Sequence, residues 1–208
     1  MKIDFWFDPI CPWCWLTSRW VNLVTAERDL EVTWRPISLF IKNTPEPDDE
    51  YYEAILWTRN LLRVVEAVRQ AGHEDRIGEL YTRFGTHIHH EGNHDFHVAD
   101  DLEALGLDPM LAGALDDDSF DPMIQAAMDD GLALTGQDVG TPLIAFDGAD
   151  GERVGLFGPV ISQVPTGDAA LAAWDAFVTL AQTPGFWETK RDRSEGPKFD
   201  TVPAEVLA

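Results

Sequence analysis

The sequence has few cysteines, few basic residues and no long apolar run, and each shortage narrows the possible functions. Only two of the 208 residues are cysteine, so no second cysteine pair exists to complete a zinc site. Lysine and arginine number 15 against 37 acidic residues, which gives a net charge of −22. Nucleic acid and anionic membranes are therefore poor partners. No apolar stretch approaches the length that spans a membrane.

Two further absences bear on location and cofactors. The segment from Met1 to Phe5 leads directly into an apolar strand pattern, without the charged and apolar regions of a secretory signal. We therefore expect a cytoplasmic protein, in a compartment that keeps thiols reduced. No glycine-rich nucleotide fingerprint occurs, so we expect no bound nicotinamide or flavin. Hydrophobic residues make up 45% of the chain, which is typical of a globular protein.

The two cysteines that are present form a Cys-Pro-Trp-Cys motif, after an apolar run and before a helical pattern. This order predicts a strand, a tight turn and a helix N-terminus. Unpaired backbone N–H groups and the helix dipole favour a thiolate there, so we predict a lowered pKa for Cys11. Pro12 suits the first helical turn, where no N–H donor is needed. Cys14 follows one turn later, within disulfide reach. The pattern indicates thiol–disulfide exchange, with Cys11 attacking and Cys14 resolving.

Metal binding and a structural disulfide are the alternative roles for these residues. A zinc site would need two more ligands at short spacing. A disulfide across so short a loop would restrict the unfolded chain little and stabilise the fold weakly. Five histidines lie between positions 87 and 97, but they form no known ligand pattern with a carboxylate, and Gly92 and Asn93 interrupt the helix. We therefore predict no metal site.

The order of strand and helix patterns predicts an α/β fold. The two ends of the chain carry strands and helices, at residues 2–7 (strand), 17–28 (helix), 30–39 (strand), 141–146 (strand), 153–157 (strand, after a turn at 147–151) and 168–182 (helix). About ninety residues between them show only helical spacing, at 51–71, 77–87, 98–105, 109–115 and 120–134. The last stretch, 188–208, is polar and is predicted to be irregular.

Strand–helix–strand followed by strand–strand–helix, with the cysteine pair opening the first helix, is the order of the thioredoxin fold. A large all-helical insertion between the halves resembles the DsbA family. The predicted fold is therefore a DsbA-like thioredoxin fold. We expect a discontinuous thioredoxin-like domain at residues 1–42 and 137–190, the insertion at 43–136, and a C-terminal tail at 191–208.

Longer stretches of the sequence resemble the mycothiol-dependent nitroreductases of actinobacteria. These stretches are Phe5 to Trp15, Val139 to Pro142, Phe157 to Pro159 and Lys190 to Arg193, together with His89, Gly92, Asn93 and His94 in the insertion. The Cys-Pro-Trp-Cys motif alone is shared by other cytoplasmic DsbA relatives. The resemblance implies mycothiol as a low-molecular-weight thiol co-substrate, a small electrophile such as a nitro compound as substrate, and a homodimer.

The resemblance also assigns substrate-binding roles. Thr141 and Pro142 would form a cis-proline loop facing the cysteines and leave the Thr141 backbone free to pair with an extended thiol substrate; a trans proline at a strand start is the alternative. Trp13 would stack on a flat substrate or merely cover the disulfide. Asn43 would line the pocket, or serve only as a turn residue. Pro12 completes the predicted substrate-binding set.

We therefore predict a thiol-dependent oxidoreductase that reduces small electrophiles with electrons from mycothiol. The nearest alternative is a general disulfide oxidoreductase or isomerase that acts on proteins. A glutathione-transferase-like or isomerase relative of the same architecture is disfavoured, because those relatives lack the cysteine pair. A protein of another class, a non-catalytic interaction module that docks through its acidic insertion, is the third alternative.

Overall fold

The computed structural model describes residues 1–148 and 151–207 of the chain. Its strands are β1 (Lys2–Phe7), β2 (Glu31–Pro36), β3 (Leu143–Asp147) and β4 (Arg153–Phe157). They form one sheet in the order β2-β1-β3-β4. Strands β1 and β2 are parallel, and β3 is antiparallel to both β1 and β4. The four segments predicted as strands are therefore neighbours in one thioredoxin-like sheet.

Helices cover the sheet and form the insertion. They are α1 (Pro12–Thr25), α2 (Leu39–Asn43), α3 (Tyr52–Gln70), α4 (Ile77–His89), α5 (Val98–Ala104), α6 (Asp121–Thr135) and α7 (Gly167–Ala181). Short 3-10 turns lie at Glu74–Arg76, Pro109–Asp116 and Asp118–Phe120. Residues 43–136, all of which the structure describes, contain no strand, as predicted. None of the described helices is both long and apolar enough to cross a bilayer.

The sheet and its two flanking helices form the thioredoxin-like part. Helix α1 begins at Pro12, as the motif predicts, with Cys11 as its cap and Pro12 in its first turn, although the apolar helical spacing is recognisable only from residue 17. Helix α7 packs against α1 through Trp174 and Trp20, whose rings lie 5.6 Å apart and are fully buried. Ala149 and Asp150, inside the turn predicted at 147–151, lie outside the described residues.

The insertion shares its core with the sheet. Tyr81 of α4 stacks on Phe7 of β1 at 4.0 Å between ring centroids and meets Trp15 of α1 edge-on at 5.5 Å. Helix α6 lies against the sheet, where the indole N–H of Trp6 donates to the carbonyl oxygen of Ala127 at 2.6 Å. The insertion and the sheet are thus packed together as one body. We propose residues 43 and 136 as the boundaries of the insertion within it.

Two segments differ from their predictions. Residues 39–43 were expected at the end of a strand and the start of a polar break, but they form α2. The hydroxyl of Ser38 caps this helix by accepting from the backbone N–H of Ile41 at 3.3 Å. Within the predicted irregular tail, residues 199–201 and 204–206 form 3-10 turns, and Val202 and Val206 are buried. These two isolated apolar side chains dock the end of the chain onto the fold.

Candidate active site at the cysteine pair

Cys11 lies at the N-cap of α1, in the loop that follows β1. Its Sγ accepts the backbone N–H of Cys14 at 3.4 Å and donates to the carbonyl oxygen of Thr141 at 3.6 Å. Cys11 and Cys14 are both free thiols without a disulfide bond. The exposed fraction of Cys11 is 7%, against 0% for Cys14. Of the two sulfurs, that of Cys11 is therefore the one closer to the surface.

The peptide bond between Thr141 and Pro142 is cis, as predicted, and places the Thr141 side chain against the buried cysteine. The hydroxyl oxygen of Thr141 lies 3.0 Å from Cys14 Sγ and 3.0 Å from the carbonyl oxygen of Trp6. The sulfur of Cys14 thus lies between the end of β1 and the loop that begins β3. A second cis bond, Gly158–Pro159, was not predicted, because that dipeptide was interpreted only as the end of a strand.

Asp8 and His89 hold the loop that leads into Cys11. The Asp8 carboxylate is fully buried and accepts the backbone N–H of Ile10 at 3.1 Å and of Leu39 at 2.8 Å. The Nε2 of His89 lies 2.8 Å from the carbonyl oxygen of Pro9. The loop is therefore fastened both to the start of α2 and to the end of α4. Sequence reasoning assigned no role to Asp8; its only signal was a carboxylate directly after an apolar strand.

Burial dominates the protonation of this site. Burial raises the pKa of Cys11 from the ordinary 9.0 to about 11, and the charge of Asp8 adds to the rise. The backbone N–H groups of Cys14 and Trp13 and the charge of Arg193 lower this pKa, but by less. The predicted fall in the pKa of Cys11 is therefore wrong, because loss of water around the sulfur outweighs the helix N-terminus.

The neighbouring groups follow the same rule. Burial raises the pKa of Cys14 well above its ordinary value, and Cys11 adds to the rise, while Thr141 lowers it. Burial also raises the pKa of Asp8 to about 6, against the backbone N–H groups that favour its ionised form. Burial lowers the pKa of His89 to about 4, so its imidazole is neutral at pH 7. Cys14, Asp8 and His89 are thus buried groups around the site whose charged forms are disfavoured.

The remaining predicted substrate-binding residues fall into two groups. Pro12 and Trp13 lie in the first turn of α1 beside Cys11, and both are half-buried. The guanidinium carbon of Arg193 lies 4.9 Å from the centroid of the Trp13 ring, so the C-terminal segment reaches the cysteine motif. Asn43 is exposed at the last residue of α2, whereas Leu39 at the first residue of that helix is tied to Asp8.

Among the clustered histidines, His89 and His90 share two aromatic neighbours, Trp15 and Phe199, whereas His87 and His94 have other partners. His90 Nε2 accepts the indole N–H of Trp15 at 3.1 Å, and the ring of His94 lies 5.7 Å from that of Trp57. His87 Nδ1 lies 2.7 Å from a carboxylate oxygen of Glu91. Within the described part of the chain, no three or more His, Cys, Asp or Glu side chains come together in a way that suits a metal ion.

Comparison with known proteins places these features in a family. Residues 10–191 match the family model described as Rv2466c-like, mycothiol-dependent nitroreductase Rv2466c. The uncharacterized protein Rv2286c of Mycobacterium tuberculosis is 30% identical over 198 residues, which cover 92% of this chain and 82% of that protein.

Two solved structures of low sequence identity share the fold. Cytosolic disulfide reductase DsbM from Pseudomonas aeruginosa aligns with a TM-score of 0.58 at 18% identity, covering 87% of this chain and all (100%) of that one. Probable DsbA oxidoreductase SCO1869 from Streptomyces coelicolor aligns with a TM-score of 0.56 at 18% identity, covering 98% of each chain. The protein has a DsbA-like thioredoxin fold, is a thiol-dependent oxidoreductase, and belongs to the Rv2466c-like family.

Proposed function

We propose that the protein reduces small electrophiles, nitro compounds among them, with Cys11 and Cys14 as the two-electron donor and mycothiol as the thiol that restores them. The observation that carries this proposal is the pair of unbonded thiols at the start of α1, packed against Thr141 and cis Pro142. Family membership over residues 10–191 supports the choice of mycothiol and of a nitro substrate.

In the proposed reductive step, the two thiols supply two electrons and two protons to the nitro group. One N–O bond breaks, R–NO₂ becomes R–NO and water, and the Sγ atoms of Cys11 and Cys14 join in a disulfide. The two residues are one helical turn apart, and the N–H of Cys14 is 3.4 Å from Cys11 Sγ, which suits this bond. We assign the first contact with the substrate to Cys11, because its sulfur is the more exposed.

In the proposed regeneration, a mycothiol thiolate attacks Cys11 Sγ and the electron pair of the protein disulfide passes to Cys14. The product is a mixed disulfide between Cys11 and mycothiol. A second mycothiol then attacks the mycothiol sulfur of this mixed disulfide, so that mycothiol disulfide departs and Cys11 is released as a reduced thiol. We expect a separate reductase to restore mycothiol with electrons from NADPH. No flavin or nicotinamide is needed on this protein, and an absorbance spectrum without a flavin band checks that expectation.

The residues around the sulfurs are assigned to substrate binding. The half-buried indole of Trp13 presents a flat apolar surface beside Cys11, which suits an aromatic nitro compound. We assign the backbone of Thr141, whose carbonyl oxygen accepts from Cys11 Sγ, to the side of the site that faces the cysteines, together with the adjoining cis Pro142. We assign Pro12 to the same site because it directly follows Cys11. We assign Asn43 to the outer rim of the site, since it is exposed at the end of α2.

A turnover assay with alternative thiols tests the proposal. The protein, a nitrofuran and a supply of mycothiol should give steady loss of the nitro absorbance, with glutathione at the same concentration as the matched control. Cys11→Ser should abolish turnover, and intact-mass measurement should find a mycothiol adduct on Cys11 in Cys14→Ser. A protein that reduces insulin with a simple dithiol as electron donor, but reduces no nitro compound with mycothiol as electron donor, would instead be a general protein disulfide reductase.

We further propose that the protein is a cytoplasmic homodimer. The basis is the family to which it belongs, together with eight tryptophans in a chain of modest length. One of them, Trp187, is 85% exposed in the single chain. Sedimentation at micromolar concentration should show a species of twice the chain mass, and a monomer alone at that concentration would contradict the dimer.

A further inference from the structure

Helix α1, which begins at the cysteine pair, also contains a buried arginine that has no counter-ion among the described residues. Arg19 of α1 is 0% exposed. Its Nη1 donates to the hydroxyl of Thr82 and to the carbonyl oxygen of Val206, each at 2.7 Å, and its Nε donates to the hydroxyl of Ser18 at 3.2 Å. Its Nη2 has no hydrogen-bond partner among the described residues. Every partner of this guanidinium is neutral.

Burying a charge among neutral groups is energetically unfavourable. Removing a guanidinium from water is unfavourable unless an anion compensates it, and buried arginines in proteins are usually paired with carboxylates. Burial lowers the pKa of Arg19 to about 10, so the side chain remains charged at pH 7. The cation–π contact with Trp15, at 4.1 Å from the ring centroid, compensates only part of this cost. Among residues 1–148 and 151–207, the charge of Arg19 therefore has no anionic partner.

A group that becomes an anion during the reaction lies close by. Cys14 is fully buried and lies five residues before Arg19 in the same helix. It raises the pKa of Arg19, and since the interaction is mutual, the guanidinium favours the Cys14 thiolate. The ring centroid of Tyr81 lies 5.6 Å from the guanidinium carbon. The buried Tyr81 hydroxyl has no well-formed hydrogen bond among the described residues, and its interaction with the Cys14 sulfur lowers the pKa of Cys14. Arg19 Nη2 and the Tyr81 hydroxyl are thus two buried donors without a well-formed hydrogen bond.

We propose that Arg19 is the counter-charge for the Cys14 thiolate that forms when the Cys11–Cys14 disulfide is opened, with the hydroxyl of Tyr81 donating to the same sulfur. The proposal rests on the proposed use of the two cysteines as a redox pair. An incoming thiolate bonds to Cys11 Sγ, the bond between the two protein sulfurs breaks, and its electron pair goes to Cys14 Sγ. A thiol that is more stable as a thiolate leaves faster.

A structural role for Arg19 makes a different prediction. The side chain also holds the end of the chain through Val206 and contacts α4 through Thr82. If those hydrogen bonds were its whole purpose, a neutral donor of similar reach would replace it. Arg19→Gln keeps an N–H donor and removes the charge, whereas Arg19→Lys keeps the charge and removes the planar fork. The two variants therefore separate anchoring from electrostatics.

The test is the rate at which dithiothreitol opens the oxidised protein, followed by tryptophan fluorescence at pH 7. We expect opening to be about tenfold slower in Arg19→Gln, within about threefold of wild type in Arg19→Lys, and about threefold slower in Tyr81→Phe, because each loss raises the pKa of the leaving thiol. Dithiothreitol replaces both mycothiol and the nitro compound, so this result is independent of the proposed substrates.

Opening of Arg19→Gln at the wild-type rate would overturn the counter-charge and leave Arg19 as an anchor. Circular dichroism and urea unfolding of each variant show whether it folds. Should Arg19→Gln fail to fold, Arg19→Met provides the same loss of charge with an apolar side chain, a replacement that buried ion sites often tolerate. Wild-type opening in a folded Arg19→Met or in Tyr81→Phe would contradict the corresponding part of the proposal.

Discussion

The hydroxyl oxygen of Thr141 lies 3.0 Å from the Sγ of Cys14, and both side chains are buried. The same hydroxyl is 3.0 Å from the carbonyl oxygen of Trp6, so it contacts both the end of β1 and the sulfur of Cys14. It lowers the pKa of Cys14 against the burial that raises it. The cis-proline loop therefore supports the cysteine pair through a side chain as well as through its backbone.

Replacing Thr141 by valine should remove this support without changing the shape of the side chain. We expect Thr141→Val to lose about 1–3 kcal/mol of unfolding free energy, because the buried carbonyl of Trp6 loses a donor. Opening of its disulfide by dithiothreitol should also slow, since Cys14 becomes a poorer leaving group. Urea unfolding and stopped-flow fluorescence measure the two effects. Thr141→Ser, which keeps the hydroxyl, is the control, and equal losses in both variants would contradict this role.

The guanidinium of Arg193 over Trp13 predicts an electrostatic effect on Cys11. Arg193 lowers the pKa of Cys11, so Arg193→Gln should reduce the thiolate fraction and slow alkylation by iodoacetamide in a Cys14→Ser background. We expect a slowing of about twofold to fivefold, since Arg193 is exposed and its charge is screened. Arg191→Gln, two residues earlier in the same exposed segment, is the matched control. An equal effect of both substitutions would indicate only a change in net charge.

The raised pKa of Cys11, about 11, predicts how its reactivity depends on pH. In Cys14→Ser, the alkylation rate should rise about tenfold for each pH unit between about pH 7 and 9.5, because the thiolate is a small fraction throughout. Iodoacetamide labelling followed by mass spectrometry gives the profile. A plateau that begins below about pH 8.5 would show that the helix N-terminus, rather than burial, controls this thiol.

Asp8 predicts a pH-dependent stability of a defined sign. Its folded pKa of about 6 is above its ordinary 3.8, so the folded protein holds this proton more tightly than the unfolded chain does. The stability that Asp8 contributes is therefore fully present below pH 3.8 and is lost as the pH rises through 6. Asp8→Asn removes this titration.

The unfolding free energy of wild type minus that of Asp8→Asn should fall by about 2 kcal/mol between about pH 4 and pH 7. Urea denaturation at several pH values in this range measures the difference, and the subtraction cancels the other carboxylates. His89→Gln is a control of opposite sign, because burial lowers the pKa of that imidazole to about 4. A difference between wild type and Asp8→Asn that is independent of pH would contradict the protonation of a buried Asp8.

Much of the fold follows from local patterns in the sequence. Strands β1 and β4 have the predicted bounds, because short apolar runs between turn residues leave little choice of register. Helices α4 and α5 begin where the apolar periodicity begins. The predicted strand at 30–39 extends three residues beyond the observed end at Pro36, because Ile37 and Leu39 continue the alternation of apolar and polar residues, and only the cap from Ser38 starts a helix there.

The candidate site residues follow from the sequence, whereas their pKa values do not. A motif names Cys11, and resemblance to a family names Thr141 and Pro142. The amount of water that reaches a sulfur depends on packing by distant segments, so the sequence showed the helix N-terminus and missed the burial that outweighs it. The burial of Asp8 and Arg19 was unpredictable for the same reason, because no pattern near either residue in the sequence indicates that it is buried.

A single-turnover experiment tests the central claim most directly. Fully reduced protein, freed of all small thiols, is mixed with one equivalent of a nitrofuran, and the nitro absorbance and the protein thiols are followed together. The account predicts that one nitro group is reduced for each Cys11–Cys14 disulfide formed, that Cys11→Ser is inactive, and that mycothiol then restores both thiols. Loss of the nitro absorbance without loss of the protein thiols would contradict the account. It would also be contradicted if the nitro compound stays unaltered although mycothiol reduces the oxidised protein normally.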